Sequence, residues 1–270
     1  MVCVEPSAGL RVLRVLAPNP GPFTLEGTNT WVAGSEGCLV IDPGPEDPTH
    51  EDAVLQASGP VAAILLTHRH LDHASGAGAL ARVTGAPIYA ASPGEGARAA
   101  GDGDRIEGAG VTLEVVATPG HSPDHLVFFE PVTGALFTGD AILGRGTSVI
   151  DPPEGDLSDY LRSLERMRRL GPRVIYPGHG PVVERAMEKI QEYVDHRRQR
   201  EEEVLRALHG HPRTPQDLVP EIYAGYSKEL YPAASRSVLA HLLKLEREGR
   251  VVRSGQGDQF ALSEPSGSTT

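Results

Sequence analysis

Short runs of hydrophobic residues, punctuated by glycine and proline, recur along the chain up to residue 180. Such runs, rich in Val, Ile and Leu and bounded by turn-forming residues, are typical of β-strands. They predict strands at residues 11–16, 29–33, 37–41, 61–66, 87–90, 111–117, 125–130, 135–138 and 173–176.

Between these runs, hydrophobic residues spaced three or four positions apart indicate amphipathic helices. The clearest helix spans residues 157–170, and others are expected at 48–58 and 75–84. Strands outnumber helices early in the chain, and helices come between the strands later. This order predicts a mixed α and β domain, which two sheets sandwiched by outer helices would accommodate.

The pattern changes after residue 182. Residues 184–208 predict one long charged helix, and two shorter helices are expected at 214–225 and 235–248. Two short apolar runs, 249–253 and 259–262, then predict a hairpin, and helices followed by a hairpin resemble a small winged-helix module. The predicted domains are residues 1–182 and 183–262, followed by a disordered tail at 263–270.

Composition favours a soluble globular protein, with 39% hydrophobic and 23% charged residues. No stretch approaches the ~20 apolar residues of a membrane span, so no membrane partner is expected. The N-terminus has neither a basic start nor a long apolar run, so no secretory signal is expected. Two cysteines, Cys3 and Cys38, make no disulfide framework and fit a reducing cytosol. We therefore expect a cytoplasmic protein, and the sequence leaves an oligomer open.

The net charge of −11 is unevenly distributed. Residues 1–181 carry 12 Lys and Arg against 22 Asp and Glu, whereas residues 182–270 carry 13 against 14. Binding to nucleic acid rests on clustered Lys and Arg that neutralise phosphates. The acidic first part therefore argues mildly against a polyanionic substrate.

Four potential metal ligands are crowded into the stretch T-H-R-H-L-D-H: His68, His70, Asp72 and His73. The apolar run 63–66 precedes them, so they follow the end of a buried strand. Imidazole nitrogens and carboxylate oxygens are the ligands that zinc accepts in open catalytic sites. On an extended loop, side chains two residues apart point the same way, so His68 and His70 can reach one ion. Asp72 and His73 lie past the turn and can face a second ion.

Three further candidate ligands follow predicted strands. His121, Asp140 and His179 each lie just after a strand and beside a glycine that lets the backbone approach closely. Any one of them could belong to an ordinary turn. Four strand ends of the same design predict a site for two metal ions.

These motifs resemble those of the metallo-β-lactamase-fold hydrolases, in which H-x-H-x-D-H is followed by a lone His, a lone Asp and a last His. The resemblance covers most of residues 1–181 and implies an α/β fold, a four-layer αββα sandwich, here with the small winged-helix-like domain at its C-terminus. It also implies that the first zinc is bound by His68, His70 and His121, the second by Asp72, His73 and His179, and both by Asp140. A set that contains both aspartates is similar to the glyoxalase II and nuclease side of the superfamily.

Other stretches resemble the branch named lactamase-beta-like endoribonucleases. They are residues 17–22 leading to 26–31, residues 120–125 and residues 139–144, and a winged-helix-like extension is typical of that branch. This resemblance implies cleavage of single-stranded RNA.

The expected function is that of a binuclear zinc hydrolase in which a metal-bridging hydroxide attacks the substrate. Asp72 is expected to orient this hydroxide. The substrate predicted first is single-stranded RNA or another phosphodiester, and the alternative is a small ester or thioester, as in a glyoxalase II-type hydrolase. A nucleic-acid-binding regulator with a metal-sensing domain is a third hypothesis. The ligand set also suits Mn²⁺ or iron.

Three expectations concern residues outside the seven ligands. His125 is expected to support a ligand or to face the substrate, with a plain strand-start histidine as the alternative. The cations Arg197, Arg198 and Arg200 are expected on a solvated face of the long helix, because Glu201–Glu203 adjoin them. The long helix begins close to His179, so the C-terminal part is expected to wall one side of the cleft.

Overall fold

The computed structural model of the chain describes residues 2–4, 9–92, 94, 96–225, 227–254 and 258–263, the first three by their backbone alone. In this part of the chain, no helix is both long and apolar enough to cross a membrane. The predicted tail lies, apart from Ser263, outside the described residues, and so do residues 255–257 of the predicted hairpin turn.

Two β-sheets form the centre of the molecule. The first contains β1 (Val2–Val4), β2 (Arg11–Leu16), β3 (Asn29–Gly34), β4 (Cys38–Ile41), β5 (Val61–Leu65), β6 (Ile88–Ala90) and β7 (Ala97–Ala99), side by side in chain order. The second contains β8 (Arg105–Gly108), β9 (Val111–Ala117), β10 (Leu126–Glu130), β11 (Ala135–Gly139) and β12 (Val174–Pro177). Neighbours from β4 to β7 run parallel, as do β11 and β12, and the other pairs are antiparallel.

The helices lie outside the two sheets. They are α1 (Pro48–Ala57), α2 (Leu71–Ala74), α3 (Ala77–Thr84), α4 (Leu157–Leu170), α5 (Ala186–Ala207), α6 (Pro215–Ile222) and α7 (Tyr231–Arg247). Helix α4 has the predicted bounds because Asp156 caps its first turn by accepting Asp159 N–H, and Gly171 ends it in the left-handed conformation with φ 64°.

Burial of apolar side chains divides the structure into layers. A core that includes Trp31, Leu65 and Phe128 lies between the two sheets. Val54 of α1 and Leu80 of α3 cover the outer face of the first sheet. Helix α4 and the first half of α5 cover the second sheet, through side chains that include Tyr160, Leu164 and Tyr193. The four-layer αββα sandwich predicted from the resemblance is confirmed.

The C-terminal part has its own core. The end of α5 packs with α6, α7, β13 (Val251–Arg253) and β14 (Phe260–Leu262) around buried residues such as Leu218, Val238 and Phe260. A helical unit closed by a two-stranded sheet is the predicted winged-helix arrangement. Helix α5 packs in both cores, so the division after residue 182 stays a prediction about domain organisation.

Local differences from the predicted elements affect the site. The helix predicted at 75–84 is α3, which begins at Ala77, and the additional short helix α2 precedes it and carries Asp72 and His73. Strands β1, β7 and β8 were not predicted, because each is short, and β7 and β8 are also mostly polar or exposed. At the other end of the second sheet, parallel pairing of β11 and β12 brings their carboxyl ends to one edge.

Candidate metal centre

Seven candidate ligands meet at the edge of the sandwich where β5, β9, β11 and β12 end. The ligand-type atoms of His68, His70 and His121 lie within 4.8 Å of one another. Those of Asp72, His73 and His179 form a second group with the same limit. These two groups are the ones that the resemblance assigns to two separate ions.

Asp140 lies between the two groups. Its Oδ1 is 3.3 Å from His179 Nε2 and 3.4 Å from His73 Nε2. Its Oδ2 is 3.7 Å from His121 Nε2. One carboxylate therefore faces both groups, as a bridging ligand must.

Hydrogen bonds to the outer nitrogens hold the histidine rings in one orientation. The Nδ1–H groups of His73, His121 and His179 donate to Asp42 Oδ2 (2.9 Å), Val149 O (2.8 Å) and Gly27 O (3.2 Å), respectively. Nδ1 of His68 lies 3.0 Å from Thr67 Oγ1, whose own proton goes to Asp42, so His68 donates here. With Nδ1 protonated, each Nε2 of a neutral ring carries a lone pair that faces the centre.

Asp42 supports this arrangement, and it was not among the predicted residues. Its carboxylate accepts three hydrogen bonds, from Thr67 N–H at 2.8 Å, Thr67 Oγ1–H at 2.7 Å and His73 Nδ1–H at 2.9 Å. Asp42 also has a positive φ of 52°, which is uncommon for a residue other than glycine. A signal existed in the sequence, since Asp42 follows an apolar strand in the same way as the predicted ligands.

Residues 28–31 fix the loop that carries His179. Asn29 Nδ2 donates to Pro177 O and to Gly180 O, both at 2.9 Å, and Trp31 Nε1 donates to Pro177 O at 3.0 Å. Gly178 in this loop has no room for a side chain. A Cβ at that position would lie 2.6 Å from His73 Cε1 and 2.7 Å from Asp140 Oδ1.

The proton affinities of these groups reflect burial and mutual charge. Burial lowers the pKa of His68 well below its usual range, and the neighbouring His73 acts in the same direction. Burial also lowers the pKa of His179, but Asp140 and Asp72 outweigh it and raise that pKa to about 9. Burial would raise the pKa of Asp140, yet His73 and His179 hold it well below the usual value. Without a metal ion, this balance favours protonated His73 and His179 beside an ionised Asp140.

The donor set fits metal ions. The inner nitrogens of His68 and His121 lie 2.9 Å and 3.0 Å from His70 Nδ1, so lone pairs converge where only a cation or a proton can sit between them. Asp140 Oδ1 is buried and has no hydrogen-bond partner among the described residues. Five imidazoles and two carboxylates are ligands suited to zinc, manganese or iron.

His125 lies behind His68 and does not line the cleft. Its ring stacks on the His68 ring with centroids 5.1 Å apart and an interplanar angle of 26°. Nδ1 is 2.9 Å from Thr118 Oγ1, and Nε2 is buried without a hydrogen-bond partner among the described residues. Burial, with His121 next, lowers the pKa of His125 well below its usual range. A neutral ring packed against a candidate ligand suits the supporting role better than contact with substrate.

A cleft of about 310 Å³ opens onto the centre. Five candidate ligands line it: His70, Asp72, His121, Asp140 and His179. Its walls are mainly apolar, with Phe23, Leu25 and Leu143 among them, and Arg145 is its one cationic side chain other than histidine among the described residues. A larger cavity of about 550 Å³ lies elsewhere, beside Leu10 and Val132, and contains none of the seven.

One expectation about the C-terminal part is wrong, and a second is wrong for two of its three residues. The described residues that line the cleft end at His179, so no described residue of the C-terminal part forms a wall of it. Arg197 and Arg200 are buried rather than solvated, with 3% and 9% exposure, whereas Arg198 is exposed as expected. Each guanidinium lies over a tyrosine ring, Tyr160 and Tyr223 respectively, which the local charge pattern could not show.

Comparison with known families matches both parts of the chain. The family described as the metallo-beta-lactamase superfamily matches residues 23–100 and 90–179. The family described as the beta-lactamase associated winged helix domain matches residues 214–259. The first match contains all seven candidate ligands, and the second contains none of them.

The chain is similar to curated proteins over most of its length. It is 36% identical to the beta-lactamase-like protein 2 homolog of Caenorhabditis elegans, over 92% of this chain and 89% of that protein. It is 34% identical to the atrochrysone carboxyl ACP thioesterase of Aspergillus fumigatus, over 93% of this chain and 87% of that protein. Among solved structures, TTHA1623 in a di-iron-bound form is 28% identical, with a TM-score of 0.54, over 65% of this chain and 96% of that one.

Proposed function

Because the chain belongs to the metallo-beta-lactamase superfamily, we propose that it is a binuclear metal hydrolase that cleaves acyl thioesters. The observation that carries this proposal is the make-up of the cleft, in which five candidate ligands face walls formed by residues such as Phe23, Leu25 and Leu143. An acyl chain is apolar, so its transfer from water to such a surface is favourable. The similarity to a protein named as an acyl carrier protein thioesterase supports the same substrate class.

We propose that the first ion is held by His68, His70 and His121, and the second by Asp72, His73 and His179, with Asp140 binding both. Support comes from the two groups of ligand atoms within 4.8 Å and from the position of Asp140 between them. Zinc, manganese and iron all suit nitrogen and carboxylate ligands, and the similar structure with two iron ions keeps iron a candidate.

Two ions bound here would lower the pKa of water and stabilise negative charge on the carbonyl oxygen during attack. The protein's own residues would orient the reactants. Asp72 is suited to accept a hydrogen bond from the attacking water, because it lines the cleft and its side chain is 30% exposed. Burial raises the pKa of Asp72, but His179 and His73 outweigh burial and lower it, so the carboxylate stays ionised at neutral pH.

The leaving group also favours a thioester. A thiol has a pKa near 8.5, so a thiolate can depart without first receiving a proton. Every described histidine and carboxylate that lines the cleft is one of the seven proposed ligands, so the described lining offers no further histidine or carboxylic acid as a proton donor. A poorer leaving group, such as a ribose hydroxyl, depends more strongly than a thiolate on a general acid that protonates it.

Single-stranded RNA, the substrate predicted first, finds less support. Proteins that bind single strands combine a basic groove with aromatic side chains on which bases stack. Among the described residues that line the cleft, Phe23 is the one aromatic side chain other than histidine. Arg145 is the one arginine among them, and it is already paired with Glu26 at 2.7 Å. The thioester alternative is therefore the better proposal.

A substrate panel tests this proposal. The chain is stripped of metal with a chelator, reloaded with Zn²⁺, Mn²⁺ or Fe²⁺, and assayed on acyl thioesters of rising chain length, an RNA oligonucleotide and a β-lactam. We expect about two bound ions per chain and metal-dependent thioester hydrolysis. Cleavage of RNA or the β-lactam without any thioester hydrolysis would contradict the proposal.

Two variants separate the cleft from the rest of the surface. Phe23 is 63% exposed and lines the cleft, so Phe23→Ala should raise the KM for long acyl thioesters several-fold and leave acetyl thioesters almost unchanged. Val132 is 70% exposed and lines the other cavity, so Val132→Ala is the matched control. Equal effects of both variants would remove Phe23 from the acyl site.

A further inference from the structure

Residues 148–156, here called the connecting segment, contact the metal centre at several points. Val149 O accepts the hydrogen bond from His121 Nδ1–H, and the Val149 side chain lines the cleft. Ser148 Oγ lies 2.6 Å from Asp140 O and 3.0 Å from Ala141 O, so its one proton is shared between them. The connecting segment therefore sets the orientation of one proposed ligand and the backbone position of another.

The same segment reaches the candidate ligands from its far end. Glu154 accepts a hydrogen bond from Arg69 at 2.6 Å, and its carboxylate is 3.7 Å from His70 Nε2. Asp156 N–H donates to Gly120 O at 2.8 Å, directly before His121 in the chain. The segment runs between β11 and α4 without regular secondary structure, so its position depends on these contacts and on whatever packs behind it.

Arg197 of α5 packs behind the segment. Its guanidinium donates to Ser148 O and lies 5.3 Å from the Tyr160 ring centroid. A hydrogen bond from a buried charge to a carbonyl is stronger than one between neutral groups. Because Arg197 is almost fully buried, this contact is not replaced by water in the folded chain.

Two arginines of α7 hold the remainder of the segment. Arg236 pairs with the Asp151 carboxylate and also donates to Pro152 O. Arg247 Nη1 lies 2.6 Å from Asp156 Oδ2, the carboxylate that also caps helix α4. Each exposed ion pair by itself contributes little to stability, so their effect lies in where they place the backbone.

We propose that Arg197, Arg236 and Arg247 form a clamp through which the C-terminal part holds the connecting segment and thereby orients His121 and the cleft wall. The three arginines are positioning residues, and none of them touches substrate. This inference gives the winged-helix domain a role within the proposed hydrolase, and it rests on the proposed function for His121 as a metal ligand.

The charges of α7 also speak against use of this helix to bind nucleic acid. Its cations other than histidine are Arg236, Lys244 and Arg247. Lys244 pairs with Glu201 at 2.5 Å and with Glu248 at 2.8 Å, while the two arginines contact the connecting segment. All three cations are paired with carboxylates of the same chain, whereas contact with phosphates requires Lys or Arg that is free to bind them.

Arg197→Met in the full chain tests the clamp, because methionine fills much of the same space and removes the donor. Arg200→Met is the matched control. Arg200 lies on the same helix, is buried over a tyrosine and donates to Ile222 O at 3.0 Å, away from the connecting segment. The measurements are Co²⁺ and Zn²⁺ affinity by competition with a chelator, and hydrogen exchange of residues 147–156.

We expect Arg197→Met to weaken binding of one of the two ions by about 10- to 100-fold, the range for residues that support metal ligands. Exchange in residues 147–156 should be faster than in the parent, and Arg197→Lys should restore part of both. Arg200→Met should leave metal affinity and exchange in this segment at the parent level. Equal metal affinities and equal exchange in the two methionine variants would overturn the proposal.

A second variant covers the case in which Arg197→Met does not fold. Arg236→Gln combined with Arg247→Gln removes two exposed ion pairs and the hydrogen bond from Arg236 to Pro152 O, and leaves the buried core unchanged. Folding should therefore survive, while exchange in residues 150–156 should rise. Unchanged exchange in this double variant would also overturn the clamp. Metal affinity and hydrogen exchange are measured without substrate, so they test this inference independently of hydrolysis. Lack of thioester hydrolysis would count against the proposed function alone.

Discussion

Asp42→Asn is the substitution that tests most directly how the centre is supported. Asparagine keeps the size of the side chain and tolerates the positive φ of 52° at this position. Its carbonyl oxygen can still accept Thr67 N–H, as Oδ1 does now. The amide nitrogen, however, replaces Oδ2, which accepts protons from both Thr67 Oγ1 and His73 Nδ1. Thr67 Oγ1–H and His73 Nδ1–H would then face an N–H donor in place of an oxygen acceptor.

The size of the effect follows from how the site can relax. Each hydrogen bond to a charged group contributes about 1.5–3 kcal/mol, so loss of both without rearrangement would cost roughly 3–6 kcal/mol. His73 can avoid most of this by moving its proton to Nε2, so that Nδ1 accepts from the new amide. That tautomer removes the lone pair facing the centre. We therefore expect metal affinity to fall by about 10- to 100-fold, or roughly 1.4–2.8 kcal/mol, while the folding stability changes little.

The assay is competition between the metal-free protein and a chromophoric chelator for Zn²⁺ or Co²⁺, with thermal unfolding of the metal-free protein measured in parallel. Asp104→Asn is the control, because its carboxylate accepts only Gly101 N–H in a surface turn. The reasoning is refuted if Asp42→Asn binds both ions as tightly as the parent while unfolding at the same temperature.

Three further outcomes are expected. Gly178→Ala should lower metal affinity at least about tenfold, because its Cβ would lie 2.7 Å from Asp140 Oδ1, and a chelator titration measures it. Asp140→Ala should reduce the bound metal, measured by elemental analysis, and abolish nearly all hydrolysis, because one carboxylate faces both groups. The C-terminal part should stay folded. Burial, with Arg197 and Arg200, lowers the pKa of His196 to about 4. Protons then favour the unfolded chain, so stability is lost as pH falls from 6.5 through 4, and His196→Gln should flatten that dependence in urea unfolding.

Each of these outcomes has a control. Gly225→Ala places its Cβ in open space, so equal loss of metal in both glycine variants would contradict the first. Activity of Asp140→Ala near the parent level would show that this carboxylate does not bind both ions. His209 is exposed at the end of α5, and a flattening by His209→Gln equal to that of His196→Gln would contradict the third.

The sequence alone determined most of the regular elements and the ligand types. Strands β2 and β9 and helix α4 have the bounds that the hydrophobic pattern predicts, because side-chain periodicity is a local property of each element. The seven candidate ligands were also predicted, because polar residues at the ends of apolar strands have no packing explanation. Whether they bind metal stays a prediction for the experiments above.

Only the tertiary structure decided which atoms face one another. Strand pairing brings Asp42 beside Thr67 and His73, although 31 residues separate Asp42 from His73. Burial of Arg197 depends on Tyr160 and Ser148, which lie on other segments. The prediction of a solvated face rested only on the neighbouring glutamates and was therefore wrong. For His73, His121 and His179, an acceptor distant in sequence, such as Val149 O for His121, sets which nitrogen faces the centre. Hydrogen-bond partners and burial are properties of the packed chain, and a local pattern does not carry them.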